Sequence, residues 1–379
     1  MHILSNSKKN IVCLSSWYPS EKQPFLGNFI QRQIELLGTN YSIQFIQTQA
    51  VADQKTIEVS QQICNNYTEI TATYPAVRSK LFKKYYQTKA LKKALQTIVQ
   101  PDLLLTYIFL PKIWQFLMLK KQLKIPWVHI EQGSYFRKEI QSKWNFLQRF
   151  WIKKAYQQTD KILAVSAFLA KDMQTVDSVK QIKIIKNHID THLFSWKEKE
   201  NKSGIHFLHI STLDEKTKNP KGIFDAFKIL SNTTPDFLLT IVSDEPTEKW
   251  ESYVKQLEIS DKVCFVPPQN WENLPAFYHE ADAFVLNSTY ETFSIVLAEA
   301  WATGTPTIST PVGIAYNAPS YLGLNVEPNN TRSLAAALIE FITTKNQFDG
   351  SKISAYAQQF DSKIVLAELE TEIDQLITS

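Results

Sequence analysis

The sequence predicts an α/β protein made of two doubly wound, parallel-sheet units in tandem. Three observations carry this expectation. Apolar runs of about five residues recur with helical stretches between them, as strands do in such sheets. The pattern restarts after a charged, aperiodic segment, "WKEKENKSG", from Trp196 to Gly204. The chain, at 379 residues, suits two domains of ordinary size.

The elements follow in chain order. "NIVCLSSWYP" reads as a buried strand ending in a loop. "GNFIQRQIELLG" sets Phe29, Ile30, Ile34, Leu36 and Leu37 at helical spacing and stops at Gly38. "SIQFIQTQ" is a second short strand. "LLLTYIFLPKIWQFLML", Leu103 to Leu119, is interrupted by Pro111, Lys112 and Gln115, so it reads as strand, turn and helix rather than a membrane span. "IPWVHIEQGS" and "DKILAVSAFL" repeat one theme: a polar or proline entry, an apolar run, then a small or polar residue. The second set comprises "IHFLHIST", a helix near "GIFDAFKIL", "FLLTIVSD", "KVCFVPP", "ADAFVLNS" and "TPTISTP". A closing helix, "FDSKIVLAELETEIDQLI", has Ile364, Leu366, Leu369, Ile373 and Leu376 as apolar members. Strands alternating with helices imply a sheet covered on both faces, with ligands beyond the carboxyl ends of its strands. The expected domains are 1–198, 199–355 and a terminal helix, 356–379, packing back toward the N-terminal domain.

Composition narrows the function classes. A hydrophobic content of 44% and a charged content of 21% are those of a soluble globular protein. Cys13, Cys64 and Cys264 lie far apart, which argues against a disulfide framework and fits a reducing cytoplasm. The start, "MHILSNSKKNIVCLSSWYP", has no uninterrupted apolar stretch, so no signal peptide is expected. No Walker or dinucleotide glycine loop occurs, the seven histidines are scattered, and there is no Asp-x-Asp pair for a metal. His206 and His209 alternate with apolar residues on a strand and read as structural. The formal net charge of +4 hides an asymmetry: the residues to Lys202 hold 30 Lys and Arg against 14 Asp and Glu, the remainder 11 against 23. A basic half points to an anionic partner, or to attraction between the halves.

The chemistry concentrates in "STYETFSIVLAEAWATGTPTIST", Ser288 to Thr310. "ADAFVLNS" is a strand and "FSIVLAEAWATG" a helix ending at Gly304, where a C′ glycine belongs. Glu291 falls in the turn between them. The amides of Phe293, Ser294 and Ile295 sit at the positive end of that helix, a seat for phosphate. Glu299 lies two turns along among Leu297, Ala298 and Trp301, where a carboxylate needs a hydrogen-bonding partner. Ribose hydroxyls would serve Glu299, and a second sugar would serve Glu291. Either glutamate alone is as well read as a dipole-complementing or edge-facing surface residue.

The whole string resembles retaining glycosyltransferases of family 4, which have the GT-B fold of two Rossmann-like domains facing across a cleft. Glu291 and Glu299 match the E-x7-E signature, with Phe293, "EAWATGTP" and "TPVG" in its flanks. The likeness extends through "SSWYPSEKQPFLGNFI", "ILAVS" with Ser166, "IIKNHIDTHLF" with Asn187, Asp190 and Phe194, and "HISTLDEKTKNPKGIFDAF", covering nearly the whole chain. It implies that Glu291 contacts the transferred sugar and that the Phe293–Ile295 backbone meets sugar and diphosphate. Glu299 would bind ribose, Lys218 in "TKNPKG" the diphosphate, and Gly27 would lie near the donor. Lys218 suits the charge that develops on a departing nucleoside diphosphate, although beside Lys216 and Lys221 it also reads as a solvated loop lysine. Departures occur too. Gly-Arg-Leu is Ser211-Thr212-Leu213 here, so Thr212 stands on the donor side without a second cation. The usual histidine is Gln132, placed with Ser134 on the acceptor side, Gly-Asp-Gly-Pro is Ser243 to Pro246, and His188 replaces a common glycine. Gln132 cannot shuttle a proton, and the resemblance implies that the donor's β-phosphate deprotonates the acceptor instead.

The expectation is a metal-independent hexosyltransferase that uses a nucleotide sugar as co-substrate and no cofactor. It would act on a glycan or lipid-linked acceptor in cell-surface polysaccharide or glycoconjugate synthesis. The alternatives are a non-catalytic sugar-binding subunit of the same fold and a nucleotide-sugar epimerase. Between Glu69 and Asp102 seven Lys and Arg occur with no acid, interleaved with Leu81, Phe82, Tyr85 and Tyr86. "KWNFLQRFWIKK" is expected to set Trp144, Leu147 and Trp151 on one helical face. Basic helices with aromatic faces suit an anionic membrane surface, here the inner face, or are solvated helices whose aromatics pack on the sheet. No nucleic-acid recognition motif is present.

Overall fold

The computed structural model describes residues 8–20, 23, 26–177, 180–199, 203–234 and 236–377. Met1 to Ser7, part of the expected first loop (Glu21, Lys22, Pro24, Phe25) and Glu200 to Lys202 of the expected linker lie outside them. Two compact units result. One comprises 1–165, 170–185 and 366–379, the other 166–169 and 186–365.

The first unit opens with β1 (Asn10–Ser15), α1 (Asn28–Leu37), β2 (Ser42–Val51), β3 (Glu58–Cys64) and β4 (Tyr67–Pro75). It continues through α2 (Lys80–Leu95), β5 (Leu103–Tyr107), α3 (Ile113–Leu123), β6 (Trp127–Glu131), α4 (Lys138–Gln141) and α5 (Phe146–Gln158). β7 (Lys161–Ala164), α6 (Ala167–Gln174) and β8 (Ile182–Ile184) follow; the first residues of α6, Ala167 to Leu169, group with the second unit. The eight strands run in the order β3-β4-β2-β1-β5-β6-β7-β8, parallel except for β3 against β4. β5 and β6 are buried along their whole length, as a sheet covered on both faces requires. The β3–β4 pair was not legible. β3 reads Glu-Val-Ser-Gln-Gln-Ile-Cys and lies exposed at the sheet edge, where polar side chains blunt an unpaired strand. Gly38 ends α1 for a reason of space: its φ is −63°, but a Cβ there would stand 2.1 Å from the Asn66 carbonyl oxygen.

The second unit contains β9 (Ile205–Ile210), α7 (Pro220–Ser231), β10 (Phe237–Val242), α8 (Glu248–Gln256), β11 (Val263–Val266) and α9 (Leu274–Glu280). Then come β12 (Ala283–Leu286), α10 (Ile295–Ala302), β13 (Thr307–Ser309), β14 (Gly323–Asn325), α11 (Thr331–Thr344) and α12 (Gly350–Ala357). Its six strands run β11-β10-β9-β12-β13-β14, all parallel. Phe207, Phe227, Leu239, Val285, Leu338 and Phe341 form the centre of its core. Full burial of such side chains contributes about 1.5–3 kcal/mol each.

Three expectations are corrected. The units divide at Ile185 and Lys186, not at 198, and at Val365, not at 355. The start of the charged segment packs on the second unit instead of bridging freely. The Lys199 ammonium donates to the Thr305 hydroxyl at 2.9 Å and to the Ala281 carbonyl, and Trp196 fills the space over Gly304. Trp144 precedes α5, whose N-cap is Asn145, and is buried, so it shares no helical face with Leu147.

The terminal helix, α13 (Ser362–Ile377), buries Val365, Leu369 and Ile373, while Ile364 is exposed. Within the first unit its Glu372 accepts from Lys161 of β7 at 3.0 Å and pairs with Lys183 of β8. Burial alone would raise the Glu372 carboxyl, but the two ammonium groups outweigh it and hold it below the usual carboxylate range. A carboxyl held low stabilises the fold above its unfolded-state pKa, and this is lost as pH falls through the folded-state value. Glu372→Gln is therefore expected to lower stability in urea by about 1 kcal/mol at neutral pH and by progressively less in acid. An equal deficit at every pH would show that the charge contributes nothing.

Candidate functional site

In a parallel doubly wound sheet the chain opens a crevice where neighbouring strands send their connections in opposite directions. In the second unit that point lies between β9 and β12. The candidate site is therefore the loop after β9, residues 211–219, and the loop after β12, residues 287–294.

His209 of β9 anchors the first loop. Its Nδ1 lies 2.8 Å from the Val285 carbonyl of β12 and its Nε2 lies 2.7 Å from the Ser211 hydroxyl. Burial is the main cause that pushes its pKa down to about 4; the Val285 carbonyl and Glu291 oppose the change and Lys218 adds to it. The imidazole is neutral at pH 7. A carbonyl can only accept, so Nδ1 carries the proton and Nε2 accepts from Ser211. The Ser211 oxygen in turn accepts the Leu213 amide at 3.0 Å. His209 is structural, as its place on the strand suggested.

Beyond Leu213, Asp214 accepts the Thr217 amide at 2.9 Å and hydroxyl at 2.6 Å, and its carbonyl accepts the Lys218 amide at 2.8 Å. Asn219, with φ of 48°, caps α7 through the Gly222 amide, and Pro220 takes the first helical position. The second loop is tied to the first. The Thr289 amide donates to the Thr217 carbonyl at 2.7 Å and the Thr289 hydroxyl to the Lys216 carbonyl at 2.9 Å. These bonds bring two side chains together across 73 positions of sequence: Lys218 Nζ lies 2.5 Å from Glu291 Oε1. Ser288 also donates to that oxygen, at 2.7 Å. Ser166, grouped with this unit, donates to the Thr292 carbonyl at 2.5 Å and supports the same turn.

The helix that follows starts two residues later than the sequence suggested. Ser294 is the N-cap of α10, at φ 75°, and makes no side-chain cap. The first amides of a helix have no acceptor within it, so such an end can receive an anion. Phe293 is buried, and its carbonyl accepts the Ile314 amide at 2.9 Å. Gly313, at φ 55°, allows that approach, since a Cβ would stand 2.3 Å from the Phe293 oxygen. Buried polar atoms without partners border the loop. Asn287, 0% exposed, has neither its Oδ1 nor its Nδ2 satisfied, and the Ser294 Oγ is likewise unsatisfied. Each such atom costs about 1–3 kcal/mol. Sequence reading missed Asn287, for which a strand-ending Asn before Ser288 was the only signal.

Glu299 is buried within α10, at 2% exposed, and accepts hydrogen bonds from the protein. The Trp271 indole donates to Oε1 at 3.0 Å and the Tyr278 hydroxyl to Oε2 at 2.9 Å. Burial first, then the Glu299 carboxylate, holds the Tyr278 hydroxyl protonated. Trp271 and Tyr278 lie too far along the chain for sequence spacing to reveal them. Thr212 is exposed beside Leu213.

The remaining predicted residues lie in the first unit. Gly27 caps α1 at φ 76°, and a Cβ there would stand 2.9 Å from the Trp17 carbonyl, so its glycine is required by its own loop. Gln132 is buried after β6 and donates to the Gln33 side chain of α1 at 3.2 Å, leaving its Oε1 unsatisfied; Ser134 opens the turn that follows. The preceding residue, Glu131, was missed. Wholly buried, it accepts the amides of Phe109 at 3.1 Å, Gln132 at 3.0 Å and Gly133 at 2.7 Å, and His129 at 3.3 Å. It thus fixes the loops after β5 and β6. Lys112 donates to the Ser15 carbonyl at 2.8 Å, and burial pushes its ammonium down to about 8. Among the described residues, no three His, Cys, Asp or Glu side chains gather as metal ligands.

Comparison with known proteins bears on the family and the fold. The family profile described as "Glycosyltransferase Family 4" matches residues 41–193, and the one described as "Glycosyl transferases group 1" matches 190–359. The chain is 30% identical over 247 residues to the N-acetyl-alpha-D-glucosaminyl L-malate synthase of Bacillus anthracis, covering 60% of this chain and 61% of that one. It spans less than two thirds of the length of the curated relatives it matches first. Among solved structures, sucrose-phosphate synthase from Thermosynechococcus elongatus superposes with a TM-score of 0.79 at 19% identity, over 98% of this chain and 100% of that one. The Anabaena protein HepE, solved in complex with UDP, does so with a TM-score of 0.73 at 14% identity, over 97% and 100%. With one profile on each half and this fold throughout, the chain belongs to the family 4-like glycosyltransferases of the GT-B fold.

Proposed function

We propose that the protein is a retaining hexosyltransferase, moving a hexose from a nucleoside-diphosphate sugar to a glycan or lipid-linked acceptor without a metal. The observation that carries the reading is the Lys218–Glu291 pair beside the uncapped start of α10, with Asn287 and the Ser294 hydroxyl buried and unsatisfied nearby. Cell-surface polysaccharide or glycoconjugate synthesis is the process this chemistry would serve. The UDP complex of a structural neighbour supports a nucleotide-sugar donor.

The diphosphate would rest on the amides at Ser294 and Ile295. Lys218 would meet the charge that develops on the leaving phosphate, where a preorganised cation acts without reorganisation. Glu291, already oriented by Ser288 and Lys218, would accept from hydroxyls of the transferred sugar. In the transfer, the bond from the anomeric carbon to the phosphate oxygen breaks and one to the acceptor oxygen forms on the same face. The acceptor proton passes to the departing β-phosphate. Such a step needs no protein base, consistent with Gln132 on the acceptor side. Glu299 would bind the ribose through Oε1, exchanging the Trp271 donor for a sugar hydroxyl while Tyr278 keeps Oε2.

A thermal-shift screen of UDP-, GDP- and ADP-sugars, followed by donor hydrolysis and transfer, tests the reading. Binding without turnover on any donor or acceptor extract would replace it with the non-catalytic sugar-binding subunit, which the exposed Thr212 in place of a cation favours. Lys218→Met and Glu291→Gln are each expected to lower kcat by about a hundredfold or more. Unchanged turnover in both sinks the assigned roles. Glu299→Ala should weaken donor binding about tenfold, about what losing one charge-assisted hydrogen bond costs. Trp271→Phe should tighten it by freeing Oε1, and weaker binding in that variant would contradict the exchange.

A further inference from the structure

The proposed transfer leaves unused the acid-free helices of the first unit. Six exposed large apolar side chains lie on two of them: Leu81, Phe82 and Tyr85 on α2, and Phe146, Leu147 and Phe150 on α5. Leu81 is 83% exposed and Phe146 80%, far from the burial usual for such residues. α2, α3 and α5 carry no Asp or Glu at all.

The three helices also border an open surface cavity of about 460 Å³. Lys84 of α2, Trp114 and Lys121 of α3, and Trp151 and Lys154 of α5 line it. Lys84 Nζ stands 5.1 Å from the Trp114 ring and Lys154 Nζ 5.5 Å from the Trp151 ring, so indole faces hold both ammonium groups in place. Helical spacing connects the cavity to the exposed residues. Leu81, Lys84 and Thr88 form one stripe of α2, and Leu147, Trp151, Lys154 and Gln158 one stripe of α5. Each stripe begins on an exposed leucine and runs into the cavity. Among the described residues no helix is long and apolar enough to cross a membrane, so contact with a bilayer through this face would be peripheral.

We infer that the face formed by α2, α3 and α5 docks on an anionic phospholipid bilayer, with the cavity taking a lipid phosphate. The exposed Leu and Phe side chains enter the acyl boundary, and Lys84, Lys121 and Lys154 surround the phosphate. Neither part suffices alone. A few apolar side chains bind a bilayer weakly, and each lysine near an anionic surface adds only modestly, but together they hold a peripheral protein. The choice of a bilayer over an acidic protein rests on the apolar residues bordering the cavity, which a purely ionic partner would leave in water. The docking does not depend on which sugar is transferred.

Flotation of the full chain with vesicles tests this directly. The probes are vesicles of phosphatidylcholine alone and of equimolar phosphatidylcholine and phosphatidylglycerol, each in low and high salt. Binding is expected only to the anionic vesicles and is expected to fall with salt. The triple substitution Lys84→Glu, Lys121→Glu, Lys154→Glu should reduce partitioning at least tenfold. Phe82→Ser with Phe146→Ser should reduce it while leaving soluble glycerophosphoglycerol binding intact. These positions lie at the surface, and circular dichroism verifies the fold of each variant. Absence of salt-sensitive binding by the unaltered chain overturns the inference. So does equal partitioning of the triple variant, or competition by inorganic phosphate as effective as that by anionic vesicles.

Discussion

A parallel strand must be left by a crossover, so every strand of such a sheet delivers the chain to the same edge. The chemistry of the second unit depends on this constraint. β9 and β12 are neighbours, yet their connections depart on either side of the point where the strand order reverses. Lys218 and Glu291 meet there because each follows one of those strands. Asn287, Ser288 and the start of α10 come to the same place for the same reason. The first unit repeats the constraint at β1 and β5, and Lys112 and the loop of Gly27 lie at that edge.

Both edges are stiffened by buried polar groups: burial keeps the two imidazoles neutral, and their hydrogen-bond partners decide which nitrogen holds the proton. Behind Lys218 a neutral imidazole, His209, joins two adjacent strands and orders the loop through Ser211. In the first unit the Trp127 indole donates to Thr106 at 2.7 Å, and Thr106 lies 2.8 Å from His129 Nδ1. Burial lowers the His129 pKa against the pull of Glu131, so the ring is neutral and Nε2 carries its proton toward that carboxylate. Glu131 then distributes its remaining capacity over three loop amides. Such networks stabilise only when complete, because an unpaired buried group costs more than a pair gains. Asn287 and the Ser294 hydroxyl beside the second edge, like Gln132 Oε1 beside the first, are left out of these networks.

Much of the fold was legible in local pattern. The apolar runs of β1, β5, β6, β9, β10 and β12 and the helical spacing of α1 and α7 could be read without tertiary information, because strands buried on both faces have to be apolar throughout. The edge pair β3–β4 could not, since a solvated edge strand has no such obligation. The unit boundary was misplaced because a charged stretch reads as solvated, whereas Trp196 and Lys199 have partners that lie far along the chain. At the site, Glu291 and Lys218 could be named from the motif, whereas the start of α10 was placed two residues too early because Ser294 makes no side-chain cap. The immediate company of Glu299 was not legible.

By itself the sequence determined the two alternating sets of strands and helices, the glutamate pair, and the acid-free basic stretch, because periodicity and charge are local properties. Tertiary structure decided which distant groups complete them. It gave Glu299 to Trp271 and Tyr278, Glu291 to Lys218 and Ser288, and the lysines of three separate helices to one cavity. The physical reason is that a buried or clustered polar group is satisfied through space, and sheet topology rather than sequence distance sets which groups are near.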